Sequence, residues 1–347
     1  MTPSPRSDRR LTLLLAAAGV VIVVAGLKAA SELLRPFVLA VFLAITSFPL
    51  VAALERRRVP RLLAVAATVL ADVAILAGIL LLVGSQVNAF TQELPGYQQQ
   101  LSDSADSVQQ WLVNHGLDLE PVPLREMINV SQVMDLLGST LRGLAGVVSK
   151  VVLVLLIMIF ILVEASGFRD KLSMAFGVDI DTERLAAALG DIQRYLGFKT
   201  VISLATGIII WAWVSVAGVD FAVLWGLLAF VLNYIPNLGS IIASIPPVLL
   251  AALQQGAGTA AFVALGFLLV NMALGNILEP SLMGRRFGLS TLVVFLSLIF
   301  WGWVWGPVGM LLSVPLTMTI KILLENSAGM RWLATLMGKN PRPQSSS

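Results

Sequence analysis

Residues 220–253 read DFAVLWGLLAFVLNYIPNLGSIIASIPPVLLAAL, an apolar stretch with a polar break at its centre. As one continuous helix this stretch would be about 50 Å long, whereas the hydrocarbon core of a bilayer is about 30 Å thick. The break contains Pro236, which removes a backbone donor and clashes with the preceding turn, and Gly239, which tolerates left-handed backbone. The stretch therefore predicts two half-length helices joined by a polar elbow at residues 233–240.

An elbow at membrane depth frees backbone groups that lipid cannot satisfy. Such groups are tolerated where they are buried in protein or line a water-filled cavity, and in transporters they mark the binding site. We therefore expect the polar side chains of the elbow to line a pathway for a solute or ion. The alternative is that they only satisfy the broken backbone. The candidate pathway residues in and next to the elbow are Asn233, Pro236, Asn237, Gly239, Ser240 and Ser244.

A second stretch, residues 288–324, repeats this design with a break at WGPVG, residues 305–309. Pro307 and Gly309 are the candidate pathway residues there. The second arms of the two stretches read GSIIASIP and GMLLSVP, which share the order glycine, aliphatic pair, serine, β-branched residue and proline. Internal duplication and chance similarity both remain open, because short apolar motifs recur easily in so hydrophobic a chain.

The composition predicts a polytopic helical membrane protein. Hydrophobic residues make up 57% of the 347 residues and charged residues 12%, whereas soluble domains carry about a quarter charged residues. The apolar runs are continuous and lack the strict alternation of a membrane β-barrel. The fold class we expect is all-α, with two broken, re-entrant helical hairpins and an amphipathic helical insert.

The residue inventory excludes several function classes. There is no cysteine, and the single histidine is His115, so that disulfides, thiolate chemistry and Cys/His metal sites are ruled out. The sequence contains neither a phosphate-binding loop with lysine nor a nucleophile next to a histidine, which disfavours an enzyme or an ATP-driven pump. Basic loops flank apolar spans without interleaved aromatics, and we therefore expect no nucleic-acid partner. No cofactor or metal is expected either.

Charge placement predicts the topology. The basic cluster Arg56, Arg57, Arg58 and Arg61 belongs in the cytoplasm by the positive-inside rule, and the N-terminus follows it there. We expect N-terminal membrane helices at 1–83, a periplasmic amphipathic helical insert at 84–146, and a membrane helix with a cytoplasmic linker helix at 147–199. A transport core with both broken helices follows at 200–325, and a cytoplasmic tail at 326–347.

Two structural questions stay open at this level. Each broken segment must begin and end on the same side of the membrane. A re-entrant hairpin meets this condition, and so do two short helices that each cross the membrane fully. Arms of about 15 residues are short for spanning, which favours hairpins. The apolar stripes of the 84–146 insert either cover one another within a protomer or pack against another protomer.

Polar residues inside other spans complete the candidate set. Asp72 lies near the middle of the third span, where a carboxylate is expensive and usually faces the bundle interior. Asn271, Asn276 and Glu279 follow in the span after the first broken segment, with Asn276 and Glu279 on one face of an α-helix. As alternatives, Asp72 is a hydrogen-bonded structural residue, and Glu279 is an interfacial carboxylate paired with Arg285 or Arg286.

Five short blocks together resemble the signature of the autoinducer-2 exporter family. They are NYIPNLG at 233–239, IPP at 245–247, NILEPSLMG at 276–284, GPVG at 306–309 and VPL at 314–316. The resemblance implies a bacterial inner-membrane transporter with about eight membrane segments, and a homo-oligomer, specifically a pentamer. It also implies export of a small polar signal such as autoinducer-2, or sodium or lithium–proton antiport, which the blocks do not separate.

The expected partners are therefore the lipid bilayer, a small polar solute and a coupling cation or proton. A secondary transporter with both termini in the cytoplasm is the main interpretation. A non-transporting membrane scaffold is the alternative from another class. Broken helices with central polar residues favour transport, because a scaffold has no need to free backbone groups at membrane depth.

Overall fold

The computed structural model describes residues 5–114, 151–164, 182–236, 238–279, 281, 289–325 and 330–338. Within these ranges every regular element is a helix. The first five helices are α1 (Pro5–Ala29), α2 (Ser31–Arg56), α3 (Arg61–Asn114), α4 (Val151–Glu164) and α5 (Thr182–Val216). The others are α6 (Ala222–Leu232), α7 (Leu238–Gln255), α8 (Ala257–Val270) with a π-helical continuation (Asn271–Leu278), α9 (Thr291–Trp305), α10 (Pro307–Glu325) and α11 (Arg331–Leu336).

Six of the described helices are long and apolar enough to cross a membrane. They are Ser31–Arg56, Arg61–Phe90 within α3, Leu189–Val216 within α5, Leu238–Gln255, Ala257–Leu278 and Pro307–Glu325. Large apolar side chains along them are exposed, as lipid-facing residues must be. The predicted all-α, polytopic membrane fold is therefore confirmed, while the re-entrant path of the two hairpins stays a prediction.

The chain divides into two compact units, and each contains one of the broken segments. The first unit comprises residues 1–49, 153–184 and 288–347, and the second comprises residues 50–152 and 185–287. Both units are assembled from separate parts of the chain, whereas the five segments expected from the sequence are consecutive functional segments. That division into five functional segments stays a prediction.

The second unit is built around a core that α3 and α5 to α8 share. Trp225, Leu228 and Leu224 of α6 are buried at its centre. Glycines allow the helices to cross closely: a β-carbon at Gly207 of α5 would lie 2.8 Å from the carbonyl oxygen of Gly226 in α6. Small residues at such crossings are typical of membrane helices, whose association depends on close packing rather than on the hydrophobic effect.

The other side of α5 is held by a tryptophan. Trp213 donates its indole N–H to the carbonyl oxygen of Phe262 at 3.0 Å and stacks on the Phe262 ring at 4.6 Å between centroids. The same indole ring contacts the backbone of Gly266, so that a β-carbon there would collide with it. Helix α5 is therefore fixed between α6 and α8, and its polar residues have defined neighbours.

The first unit contains the second broken segment, where α9 and α10 form a hairpin. Helix α9 ends at Trp305 and is followed by Gly306, whose φ of 66° favours glycine. Pro307 is the first residue of α10, where a missing N–H costs no helical bond. Trp301 donates its indole N–H across the hairpin to the hydroxyl oxygen of Thr317 at 3.1 Å. Trp305 donates to the carbonyl oxygen of Leu27 in the last turn of α1 at 3.1 Å, capping a group that the helix leaves unpaired.

Helix α3 runs without interruption from the third span into the insert. The insert expected from residue 84 onwards begins inside this 54-residue helix, which continues to Asn114. A lone Gly84 is tolerated inside a helix. Residues 115–150, which contain the rest of the insert, lie outside the described residues.

Candidate functional site

The elbow has the predicted two-helix construction. Helix α6 ends at Leu232 and α7 begins at Leu238. The turn is held by backbone bonds, from Asn233 N–H to the carbonyl oxygen of Ala229 at 3.0 Å and from Ile235 N–H to that of Leu232 at 2.8 Å. The break therefore leaves the elbow compact, and its side chains are free to contact neighbouring helices.

The glycines that follow each break have the same local role. A β-carbon at Gly239 would collide with the carbonyl oxygen of Leu232, and one at Gly309 would collide with that of Trp301. In each hairpin the returning arm therefore crosses the first arm in direct backbone contact. Gly239 and Gly309 are both buried, and each requires the absence of a side chain.

The serines of the two motifs also match. Ser244 donates its hydroxyl to the carbonyl oxygen of Ile241 at 2.8 Å, and Ser313 donates to that of Met310 at 2.9 Å. Both bonds reach three residues back, and in both arms a proline follows two residues later. The resemblance between the two motifs therefore extends to their hydrogen bonding. It also means that Ser244 bonds its own helix backbone.

The elbow side chains contact polar residues of α5. Asn233 is buried and donates its Nδ2 to the hydroxyl oxygen of Ser203 at 2.9 Å. Tyr234 donates its hydroxyl to the Oγ1 of Thr200 at 2.8 Å, and Thr200 in turn donates to the carbonyl oxygen of Leu196 at 2.8 Å. The elbow and the middle of α5 are thus joined by side-chain hydrogen bonds between membrane helices.

An ion pair lies one helical turn from Ser203. The Nζ of Lys199 is 2.8 Å from both carboxylate oxygens of Glu279. The Lys199 side chain is 3% exposed and the Glu279 side chain 20%. Together with the elbow contacts, the ion pair makes up the inner polar cluster, which comprises Lys199, Thr200, Ser203, Asn233, Tyr234 and Glu279.

Glu279 is presented by the π-helical continuation of α8. Its N–H donates to the carbonyl oxygen of Leu274, five residues back, as in a π-helix. An α-helical spacing places Asn276 on the same face as Glu279, but this spacing does not apply here: Asn276 is exposed while Glu279 reaches Lys199. Asn271 is half-buried, and its Oδ1 would lie 2.9 Å from a β-carbon at Gly275.

The remaining candidate residues occupy other places. Asp72 is half-buried in the membrane span of α3, and Pro236 and Ser240 are half-buried within the elbow. Pro307 is exposed at the start of α10 in the other unit. Asn237 lies outside the described residues. Of the twelve candidates, the structure thus places Asn233 and Glu279 in the inner polar cluster.

Sequence reasoning missed the α5 residues of the inner polar cluster. It assigned Lys199 to the linker and named neither Thr200 nor Ser203, although α5 runs unbroken through this boundary. The alternative for Glu279 was a pair with Arg285 or Arg286, which lie outside the described residues; in the structure Glu279 pairs with Lys199. A signal was present in the spacing of Lys199, Ser203, Thr206 and Gly207, since steps of three and four place these small and polar residues on one helix face.

A second hydrogen-bonded group lies at the opposite end of the α6–α7 hairpin. The hydroxyl of Tyr97 is 2.9 Å from a carboxylate oxygen of Glu93, 2.9 Å from one of Asp220 and 3.0 Å from the Nε2 of Gln254. Gln254 Nε2 also donates to Asp220 at 2.6 Å. This outer polar group therefore ties the start of α6 and the end of α7 to α3.

Tyr97 is the central hydrogen-bonding residue of the outer polar group. Burial raises the pKa of Tyr97 well above its usual range, and its hydrogen bonds to Glu93 and Asp220 raise it further. Tyr97 is therefore a neutral donor at physiological pH. Among the described residues no three His, Cys, Asp or Glu side chains come together as metal ligands, and both polar groups are built for hydrogen bonding.

Comparison with known proteins identifies the family. The model of the AI-2E family transporter matches residues 14–329. The chain is 42% identical to the AI-2 transport protein TqsA of Escherichia coli strain K12 over 320 residues, which cover 91% of this chain and 92% of TqsA. It is 37% identical over 344 residues to the "Putative transport protein YhhT" of the same strain, covering 99% of this chain and 98% of that protein. This multi-pass membrane protein therefore belongs to the AI-2E family of transporters.

Proposed function

We propose that this protein is a secondary transporter of the bacterial inner membrane that exports a small polar signal or metabolite of the autoinducer-2 type. The observation that carries the proposal is the attachment of a broken helix to polar residues of α5, through the Asn233–Ser203 and Tyr234–Thr200 bonds. Both bonds connect the apolar span Leu189–Val216 to the elbow between two further apolar helices. They therefore place polar groups where the surrounding side chains and lipid offer a solute no hydrogen bonds.

The energetic argument favours transport over a scaffold. A buried polar group costs free energy unless it is hydrogen-bonded, and an apolar helix of the same length needs no such groups. The inner polar cluster contains hydroxyl, amide and charged side chains, which both donate and accept hydrogen bonds. A hydroxylated solute that leaves water could form its hydrogen bonds with these groups instead. The sequence has no phosphate-binding loop with lysine. We therefore infer that a solute or ion gradient across the membrane drives transport.

A sodium or lithium–proton antiporter is the second candidate. The Lys199–Glu279 pair favours it, because ionisable residues within membrane spans commonly mark ion pathways. A homo-oligomer, with five protomers as the family resemblance implies, and cytoplasmic termini are further parts of the proposal. Mass photometry of the detergent-solubilised protein would test the number of protomers.

Flux into proteoliposomes tests the transport proposal. We expect labelled autoinducer-2 to be taken up by counterflow at a rate above that of protein-free liposomes, and Asn233→Leu to lower this rate at matched insertion. Uptake of sodium or lithium driven by a pH gradient, without solute counterflow, would establish the antiporter instead. If neither solute nor cation crosses faster than in empty liposomes, the scaffold interpretation is correct.

A further inference from the structure

The two partners of the Lys199–Glu279 pair differ in how firmly they are held. Lys199 projects from the middle of α5, a regular helix that Gly207 and Trp213 lock against its neighbours, and is 3% exposed. Glu279 stands at the end of the π-helical segment Asn271–Leu278 and is 20% exposed. The carboxylate is therefore the partner that solvent reaches and that the backbone can move.

A π-helical segment of this length is itself an adjustable element. π-helical turns are rare and are frequent at functional sites. A change from bonds between residues five apart to bonds between residues four apart would rotate Glu279 about the helix axis and take it away from Lys199. Gly275, inside the segment, has no side chain to oppose such a change, and Asn271 contacts it only through a flexible amide.

Separation of the pair would leave a buried ammonium that needs a replacement. A buried charge without a partner is strongly unfavourable, whereas the intact pair contributes little net stability. On α5 near Lys199 and at the elbow, the described structure places uncharged polar side chains: Tyr195, Thr200, Ser203, Asn233 and Tyr234. A solute that carries a negative charge can take the place of Glu279 beside Lys199, and these side chains can bind its hydroxyl groups.

We propose that Lys199 binds an anionic group of the transported solute, and that Glu279 occupies the same position when the solute is absent. This inference rests on the proposed transport function, and it names the substrate class: a small hydroxylated compound carrying one carboxylate or similar anion. The Glu279 carboxylate is thus a competitor that the solute displaces. Displacement of Glu279 therefore links solute binding to the conformation of the π-helical segment Asn271–Leu278.

Thermal unfolding in uncharged detergent, with glycerate as the probe, tests the inference without any transport measurement. A ligand that binds the folded state raises the unfolding midpoint according to its concentration relative to Kd. In Glu279→Gln the competitor loses its charge, and we expect the Kd for glycerate to fall about tenfold or more, in line with the strength of a hydrogen bond to a charged group. Glyceramide, the neutral analogue of the same size, should show no such change.

Two variants act as controls. Lys199→Met combined with Glu279→Gln keeps the site neutral, so it should fold and lose the response to glycerate. Arg194→Gln removes an exposed positive charge on the same helix and should respond like the wild type. An unchanged Kd in Glu279→Gln, or equal responses to glycerate and glyceramide, would overturn the proposal.

Two further measurements complete the test. Phosphatidylglycerol added in place of glycerate distinguishes a lipid headgroup from a solute: stabilisation of Glu279→Gln by the lipid alone would overturn the proposal. In the wild type, glycerate should alter hydrogen exchange in Asn271–Leu278, because the backbone bonds there are rearranged when Glu279 leaves Lys199; unchanged exchange in this segment would contradict the proposal. Binding of glycerate without any flux in liposomes would refute the transport function and leave the anion site standing.

Discussion

Gly239 lies against the carbonyl oxygen of Leu232, so closely that a β-carbon at residue 239 would collide with it. The contact joins the second residue of α7 to the last residue of α6. Gly309 has the corresponding relationship to the carbonyl oxygen of Trp301 in the other unit. The break in each hairpin is thus stabilised by a backbone-to-backbone crossing, which only glycine permits.

Gly239→Ala should therefore destabilise the protein rather than straighten the elbow. The added methyl group forces α6 and α7 apart, and such overpacking costs about 1–3 kcal/mol. We expect a lower unfolding midpoint in detergent and slower solute flux. Gly258→Ala on α8, where no atom lies within 4 Å of the added carbon, is the control and should be neutral or slightly stabilising. An unchanged midpoint for Gly239→Ala would show that the hairpin can relax around the methyl group.

The crossing of α5 and α6 gives a matched pair of variants on one helix. A β-carbon at Gly207 would lie 2.8 Å from both the Gly226 carbonyl oxygen and the Cβ of Phe230, whereas at Gly197 it would meet nothing within 4 Å. Gly207→Ala should lower the free energy of unfolding by about 1–3 kcal/mol, and Gly197→Ala should not lower it. Equal unfolding midpoints for the two variants would contradict the close crossing.

Features that depend on neighbouring residues could be predicted from the sequence, whereas contacts between distant residues could not. The broken helices were predictable because Pro236, Gly239 and Pro307 act on their own backbone, and the membrane fold because composition alone requires burial in lipid. The partner of Glu279 was not predictable, since Lys199 is 80 residues away and only packing decides which base it meets.

The length of α5 illustrates the same limit. Hydropathy falls at Lys199, and the sequence analysis therefore began the span at residue 200. The structure shows that the helix starts earlier and buries the lysine in an ion pair. A charged residue can lie inside a membrane span when it has a partner, and here the partner lies in another helix.

The outer polar group should respond to removal of a single hydroxyl. Tyr97→Phe keeps the ring packed against Phe90, whose centroid is 6.2 Å away, and removes the link between Glu93, Asp220 and Gln254. We expect a loss of about 1 kcal/mol in unfolding free energy at pH 7, because the exposed carboxylates of Glu93 and Asp220 and the half-buried Gln254 amide lose one hydrogen-bond partner. Equal unfolding midpoints for the variant and the wild type at pH 7 would show that the hydroxyl contributes nothing.

The pH dependence of this effect has a definite sign. The pKa of Tyr97 is raised in the folded protein, whereas in the unfolded chain it is about 10. The stabilisation is therefore fully present below about pH 10 and is lost as the pH rises further towards the folded-state pKa. The difference in midpoint between wild type and Tyr97→Phe should stay constant from pH 7 to 9 and shrink above pH 10. A difference that already shrinks between pH 7 and 9 would contradict a neutral Tyr97.

The Asn233–Ser203 bond should couple the elbow to α5 energetically. In a double-mutant cycle, Asn233→Ala and Ser203→Ala should each slow solute flux several-fold, and the double variant should lose less than the sum. We expect a coupling free energy of about 1 kcal/mol in stability, the net value of a typical hydrogen bond. Leu228→Met, a volume-matched change in the α6 core, should be nearly silent. Strictly additive effects of the two alanine variants would show that the bond is not made in the membrane.

Both ends of the α6–α7 hairpin should be reached from one side of the membrane, together with the extension of α3. Tyr97 bonds Asp220 at the start of the hairpin and Gln254 at its end, so that the three must lie at the same face.

The sequence has no cysteine, and single cysteines can therefore be introduced without background labelling. We expect Gln99→Cys and Gln255→Cys, both at exposed positions, to react with an impermeant thiol reagent in cells whose outer membrane is permeabilised. Arg57→Cys, exposed in the turn between α2 and α3, should react only after lysis. Labelling of Arg57→Cys alone would invert the topology, and labelling of Gln99→Cys and Gln255→Cys from opposite sides would exclude a hairpin with both ends at one face.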